Sequence, residues 1–303
     1  MTYNLFLVDS LDPDVMAEAV AAILQVPMKE VDVADADGDQ EDRYWDALVS
    51  CEYSHVEGNV SLSLEIYAQD SVQKQPSEAE FSAALAHRLG TPVLYPPQEG
   101  AMSAHWMVTP DGLATRARLT ESEDEEPLFT VTAVEAPIRE LPDVPVMHLP
   151  EVVHEQKIAT PLADAFAESV KSLMEEGDGT NGSAITADVA EVARIAKSYL
   201  GAWEKLSRRA ENDFDPSGWF PLEFYRETLG YRDDIEGYAR QLPGNVQELY
   251  RRYVDEVDKL HKELTVEDEE RIVADEEGEP VARLTQKAWW WHRRPSPMPW
   301  SEG

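Results

Sequence analysis

The residue types that most often perform nucleophilic or metal-assisted chemistry are few and scattered in this sequence. Cys51 is the single cysteine, and the pattern around it predicts the apolar face of a strand, where we expect a buried, unreactive thiol. His55 would share that face, about 13 Å further along the strand, which is too far for proton transfer between the two side chains. The seven histidines form no H-x-x-x-H or H-E-x-x-H pair, so we assign no metal.

Two short motifs imitate ligand-binding loops. The stretch GDGTNG (177–182) has the glycine spacing of a dinucleotide-binding loop, but a predicted helix precedes it where that loop needs a strand. The stretch DADGD (35–39) resembles a calcium loop, but with Gly38 at its sixth position the first and last ligand positions fall on Val33 and Tyr44. We interpret the first as a linker between helices and the second as a solvated acidic loop, and we assign no cofactor.

Enzymatic signatures are otherwise missing from the sequence. It contains neither G-x-S-x-G nor G-x-x-x-x-G-K-[ST], the motifs of serine hydrolases and of P-loop enzymes. The 60 acidic residues could include a catalytic pair, but spacing does not single one out. The sequence therefore favours a non-enzymatic protein. The alternative is a carboxylate- or metal-dependent enzyme with its site in the helical domain or the domain cleft.

Charge is the strongest global feature. The 303 residues carry 26 Lys and Arg against 60 Asp and Glu, a net charge of −34, and residues 1–150 carry 7 bases against 28 acids. Such a surface opposes binding to nucleic-acid phosphate and to anionic lipid, whereas it attracts a basic protein. The sequence also lacks an apolar run of about 20 residues and a basic secretory-signal region at its start. We expect a cytoplasmic protein; its oligomeric state is not readable.

The leading functional hypothesis is an acidic binding protein that captures a basic protein partner, for example an immunity or antitoxin-like inhibitor of a basic toxin. Electrostatic steering would bring the partner in, and a few buried aromatic anchors would hold it. A second alternative is a DNA mimic that blocks a DNA-binding protein. The acidic residues predicted to bind the partner lie on two loops: Asp35, Asp37, Asp39, Glu41 and Asp42, and Glu123, Asp124, Glu125 and Glu126.

The stretch WWWHRRPSPMPW (289–300) is the most aromatic part of the chain. Read as a strand, it would place Trp289 and Trp291 on one face and Trp290 on the other. Its prolines alternate with other residues and so do not form a PxxP ligand. We interpret the stretch as a strap docked on the helical domain or across the domain junction; the alternative is an exposed aromatic anchor for a protein partner. The residues assigned to this role are Trp289, Trp290, Trp291, Arg293, Arg294 and Trp300.

The first part of the chain alternates strand and helix signals. Asp12 and Pro13 predict a helix start, and Ser77 with Glu80 forms a capping box ahead of a second helix that ends at Gly90. Residues 31–42 are predicted as an acidic loop. The order β-α-β-β-α-β followed by more β predicts an α+β sheet with helices on one face, built on a split β-α-β unit. The predicted strands are 3–10, two paired segments between 44 and 68, 92–97, a hairpin over 105–119, and 128–135.

The second part of the chain has helical periodicity. Residues 141–154 belong to a proline-rich stretch that we predict as the linker between an α+β domain at 1–140 and a mainly helical domain at 155–303. The longest apolar stripe, from Val246 to Leu264, indicates the clearest helix. The other predicted helices are 161–176, one over 189–206, and two short ones at 221–230 and 232–242.

Overall fold

The computed structural model describes the chain except for residues 40, 42, 99–101, 123–127, 178–186, 216, 276–284 and 302–303. The chain divides into two compact units, Met1–Gln156 and Lys157–Gly303. The first unit holds a mixed sheet with helices, and the second is mainly helical, which confirms the predicted α+β class. No helix in the described part of the chain has the length and apolar character needed to cross a membrane.

The described elements of the first unit are β1 Thr2–Leu7, α1 Pro13–Leu24, β2 Val31–Asp35, β3 Val49–His55, β4 Glu57–Gly58, β5 Leu62–Ala68, α2 Glu78–Leu89, β6 Val93–Tyr95, β7 Ala104–Val108, β8 Ala114–Glu121, β9 Leu128–Val134 and α3 Pro150–Glu155. The strands form one sheet in the order β2-β3-β5-β1-β6-β7-β8-β9-β4.

Local capping signals set the bounds of the first two helices. The Asp12 carboxylate accepts a hydrogen bond from the backbone N–H of Asp14 at 2.8 Å, and Pro13 opens α1. Ser77 and Glu80 satisfy each other's backbone N–H groups at the start of α2, as predicted. Gly90 ends α2 in the left-handed conformation with φ of 72°. These contacts are local, and the sequence therefore predicts them well.

The predicted split β-α-β unit is confirmed. Strand β1 leads through α1 to β3, and β5 lies between β1 and β3, antiparallel to both. Strand β6 lies antiparallel on the other side of β1. This is the ferredoxin-like arrangement of four strands. Both helices cover the same face of the sheet, where Leu5, Val20, Ile66 and Phe81 share one buried core.

The remaining strands enclose a second core on the opposite face. Strands β7, β8 and β9 form an antiparallel meander, and β9 pairs with the short strand β4 between β3 and β5. Val8, Val60, Met107 and Val131 are buried in this second core. Strand β9, the last of this sheet in chain order, thus pairs with a segment of the connection between β3 and β5.

Two predictions for the first unit need correction. Residues 31–42 do not form a loop throughout, because Val31 and Val33 pack against the first core and β2 pairs in parallel with β3. The proline-rich stretch assigned to a linker at 141–154 lies within the first unit. Leu141 is buried in the second core, Leu149 is buried against Ala104 and Ala133 of the sheet, and the stretch ends in α3.

The second unit is a bundle in which α5 packs against three other helices. Its described elements are α4 Pro161–Gly177, α5 Ala187–Glu211, α6 Leu222–Ala239, α7 Gly244–Leu264, β10 Val266–Glu267, a 3-10 helix at Trp289–His292 and β11 Arg293–Arg294. Phe166, Trp203 and Tyr250 are fully buried in the bundle. The two short helices predicted on either side of Gly230 are one helix, because Gly230 keeps helical backbone and does not end α6.

Candidate binding surface

The acidic loop of the first unit presents its carboxylates to solvent. Asp35 ends β2, and Asp37, Asp39 and Glu41 are exposed in the turn that follows. The Asp35 carboxylate accepts from the N–H of Asp37 at 3.1 Å, and the Asp39 carboxylate accepts from the N–H of Glu41 at 2.9 Å. These bonds define the turn. The other residues predicted to bind the partner, Asp42 and Glu123, Asp124, Glu125 and Glu126, lie outside the described residues.

Arg43 ties the end of this loop to the sheet. Its Nε donates to the Asp32 carboxylate at 2.9 Å, and its Nη1 donates to the Glu52 carboxylate. Burial by itself would lower the pKa of Arg43, but the hydrogen bonds to Glu52 and Asp32 together outweigh it and raise the pKa. The Asp32 carboxylate also accepts from the N–H of Tyr44 at 3.1 Å. The backbone after the acidic loop is therefore fixed to β2 and β3.

Three large aromatic side chains are exposed beside this anchor. Trp45 is 69% exposed, Tyr44 46% and Tyr67 48%. The guanidinium of Arg43 lies 4.6 Å from the centre of the Trp45 ring, so one face of the indole is stacked on a fixed cation. Exposed aromatic side chains that are held in place are typical of contact points for another protein.

The strand register places Tyr67 on the same side of the sheet as this cluster. Tyr67 is aligned with Ser50, and Ser50 is aligned with Asp32 on the next strand. Glu65 is exposed and stands directly opposite Glu52. We call this surface the open face, because both long helices lie on the other side of the sheet. It comprises Asp32, Tyr44, Trp45, Ser50, Glu52, Glu65 and Tyr67.

The sequence patterns did not single out the aromatic residues of the open face. Two signals were present in the sequence. Tyr67 falls on the polar phase of the alternation along β5, and the pair Tyr44-Trp45 directly follows the acidic loop. An aromatic residue in a polar phase indicates an exposed ring, because its neighbours in that phase face solvent.

In the second unit, the Trp-rich stretch packs on the bundle. Trp290 and Trp291 are buried, and their indole N–H groups donate to the two carboxylate oxygens of Asp233 at 2.8 and 2.9 Å. Residues 289–292 form a 3-10 helix rather than a strand, and this geometry lets neighbouring indoles reach one carboxylate. Each of the three tryptophans has a cation over its ring at 4.0–4.2 Å: Lys262, Arg232 and Lys287, in the order of the tryptophans.

The other residues assigned to the strap contact the same unit. The Arg293 guanidinium donates to the hydroxyl of Thr265 at 2.9 Å and to the carbonyl of Lys262 at 2.8 Å, so it caps the end of α7. Arg294 lies 3.6 Å from the buried carboxylate of Asp268. Trp300 packs against a buried tyrosine, with ring centres 5.2 Å apart.

A buried chain of polar groups lies beneath this stretch. His261 lies between Ser207 and Tyr225, with its ring nitrogens 3.4 and 3.3 Å from their hydroxyl oxygens. Burial lowers the pKa of His261 to about 3, with a smaller effect from the Arg293 charge, and burial raises the pKa of Tyr225. A serine beside a neutral histidine has the composition of a nucleophile and its base. All three side chains are completely buried, so none of them faces solvent from which a substrate could approach.

Among the residues that the structure describes, no group of three or more His, Cys, Asp or Glu side chains is placed to hold a metal ion. Burial raises the pKa of the Cys51 thiol to about 12, so this thiol stays protonated. Comparison of the chain with protein-family models, curated proteins and solved structures finds no match.

Proposed function

We propose that this protein is a non-enzymatic binding protein that captures a basic protein partner through the acidic loop and the open face of its first unit. The observation that carries the proposal is the exposed acidic loop that adjoins three exposed aromatic side chains. Residues 31–70 contain 11 acids and a single base, Arg43, which is paired with two of those acids. A surface of this charge attracts a cationic protein and repels polyanions.

Capture would proceed in two steps. The carboxylates of Asp35, Asp37, Asp39 and Glu41 steer the partner in, and this contribution weakens as salt screens the charges. The aromatic residues of the open face then supply apolar contact area near fixed charges, which is the composition of an interface hot spot. A cytoplasmic inhibitor of a basic toxin, similar in role to an immunity protein or antitoxin, is the concrete form of this function.

The loop carboxylates can be neutralised without disturbing the turn. In the variant Asp35→Asn/Asp37→Asn/Asp39→Asn/Glu41→Gln, each side chain keeps a carbonyl oxygen that accepts the same backbone hydrogen bonds. The matched control neutralises four exposed acids of the second unit and so removes the same net charge. These are Glu223, Glu248, Asp255 and Glu256.

The test is capture of proteins from native lysate by the immobilised full chain at low and at moderate salt, with the bound proteins identified by mass spectrometry. We expect the wild type and the control variant to retain the same basic protein. The loop variant should retain about ten-fold less of this protein at low salt, with a smaller difference at moderate salt. Recovery of no basic protein under either salt condition, or equal loss of capture in both variants, would refute the proposal.

A further inference from the structure

We propose that the open face recognises an arginine-rich segment of the partner, with one guanidinium stacked on the exposed face of Trp45. This inference rests on the proposed function and specifies the chemistry of the partner. Trp45 is 69% exposed, whereas tryptophan side chains in folded proteins are on average mostly buried. A partner that covers this indole removes a large apolar surface from water, which contributes favourable binding free energy.

The orientation of Trp45 is already fixed. Arg43 stacks on one face of the indole and is itself held by the carboxylates of Asp32 and Glu52. With one face on Arg43 and most of the residue exposed, the indole offers its other face to a ligand. A preorganised ring loses little conformational entropy when a ligand binds, so a stacked partner gains affinity at small cost.

The charge around the indole selects a cationic ligand. Arg43 shares its single positive charge between two carboxylates, and Glu65, directly opposite Glu52, is exposed. The carboxylates of the acidic loop precede Trp45 in the chain. Nucleic-acid bases also stack on exposed aromatic rings, but their phosphates would meet this negative field. A cationic peptide is stabilised both by stacking on the Trp45 ring and by attraction to the surrounding carboxylates.

Arginine fits the open face better than lysine for geometric reasons. A guanidinium is planar, so it stacks flat on an indole, and its N–H groups bond in pairs to a carboxylate. Arg43 shows a related arrangement within the protein, because its guanidinium lies over the Trp45 ring while its N–H groups donate to two different carboxylates. An ammonium is a compact, strongly hydrated charge and reproduces neither the flat stacking nor the paired bonds.

Two short peptides of equal length and charge test the inference, one alternating arginine with glycine and the other lysine with glycine. Their affinities for the full chain are measured by fluorescence anisotropy at about 0.15 M salt, where the screening length is about 8 Å. The variants are Trp45→Ala and, as a control of equal exposure, Met102→Ala at a residue that is 68% exposed. Because both side chains are exposed, both variants should keep the wild-type melting temperature.

We expect the wild type and the Met102→Ala variant to bind the arginine peptide about five-fold more tightly than the lysine peptide. Trp45→Ala should lower the affinity for the arginine peptide to that of the lysine peptide. Equal affinity of both peptides for the wild type, an arginine preference that survives in Trp45→Ala, or no binding of either peptide would overturn the inference. Tighter binding of a single-stranded oligonucleotide, lost in Trp45→Ala, would overturn it as well.

These outcomes differ from those of the capture experiment. Loss of capture on neutralising the loop, together with equal binding of both peptides, would leave the proposed function in place and remove only the arginine specificity. Failure of the wild type to retain a basic protein would instead refute the proposed function itself.

Discussion

Asp233 provides the most direct test of how the Trp-rich stretch is held on the second unit. Its two carboxylate oxygens accept from the indole N–H groups of Trp290 and Trp291. We expect Asp233→Ala to destabilise this unit, because both bonds are lost and the two indoles no longer share an acceptor. Asp233→Asn should have a smaller effect, because its amide oxygen still accepts from one indole N–H and only the bond to the other indole is lost.

The geometry sets the size of the effect. Hydrogen bonds to a charged group contribute about 1.5–3 kcal/mol each to stability. Asp233 is exposed, so water can partly replace it and the lower end of that range applies to both bonds. We therefore expect Asp233→Ala to lower the free energy of unfolding by about 3 kcal/mol. In a unit of this size, that loss lowers the melting temperature by about 10 °C.

Urea unfolding followed by far-ultraviolet circular dichroism measures this change, since the helices of the second unit dominate the signal. Asp234 is the matched control, because it is the next residue, is also exposed and carries the same charge. Asp234→Ala should change the urea midpoint little. If Asp233→Ala and Asp234→Ala unfold at the same urea concentration, the carboxylate does not hold the tryptophans and the reasoning is wrong.

Three further predictions concern the same structure. Deletion of residues 288–303 should lower the melting temperature of the second unit more than Asp233→Ala does, because it uncovers apolar surface; a truncated protein that melts like the wild type would show that the stretch is not a strap. Burial depresses the pKa of His261 from 6.5 to about 3, so the unfolded state takes up a proton first as the pH falls. Stability should therefore be lost between about pH 6.5 and 3, by about 3 kcal/mol at pH 4, and the difference from His261→Gln in urea midpoints at several pH values checks this. A Cβ at Gly58 would lie 2.0 Å from the carbonyl oxygen of Phe129, at φ of +126°. Gly58→Ala should therefore lower the melting temperature of the first unit well beyond Gly112→Ala, where φ is also positive but nothing lies within 4 Å; similar melting of the two variants would contradict this.

Features set by neighbouring residues in the chain were predictable. The Asp12 cap, the Ser77–Glu80 box and the hairpin around Gly112 all depend on contacts within a few residues. The split β-α-β unit followed from the order of its elements, because connection rules leave few alternatives for short chains of strands and helices.

Features set by distant contacts were not predictable. The acidic composition of residues 31–42 concealed β2, whose pairing with β3 and packing on the core decide its conformation. The short 3-10 helix at Trp289–His292 is hydrogen-bonded through its indoles to Asp233, which is distant in the chain. The open face required both a register between strands and the side-chain position of Arg43, and neither can be read from spacing alone.

The pairing of β4 with β9 bears on the order in which the first unit assembles during synthesis. Asn59 and Val131 exchange two hydrogen bonds, through the Asn59 side-chain amide and the Val131 backbone, across 72 positions of the chain. The four strands of the split β-α-β unit are synthesised before β9. The second face of the nascent sheet, which carries Phe6 and Val60, therefore stays exposed until β9 is available to cover it. During this interval chaperones have access to that face.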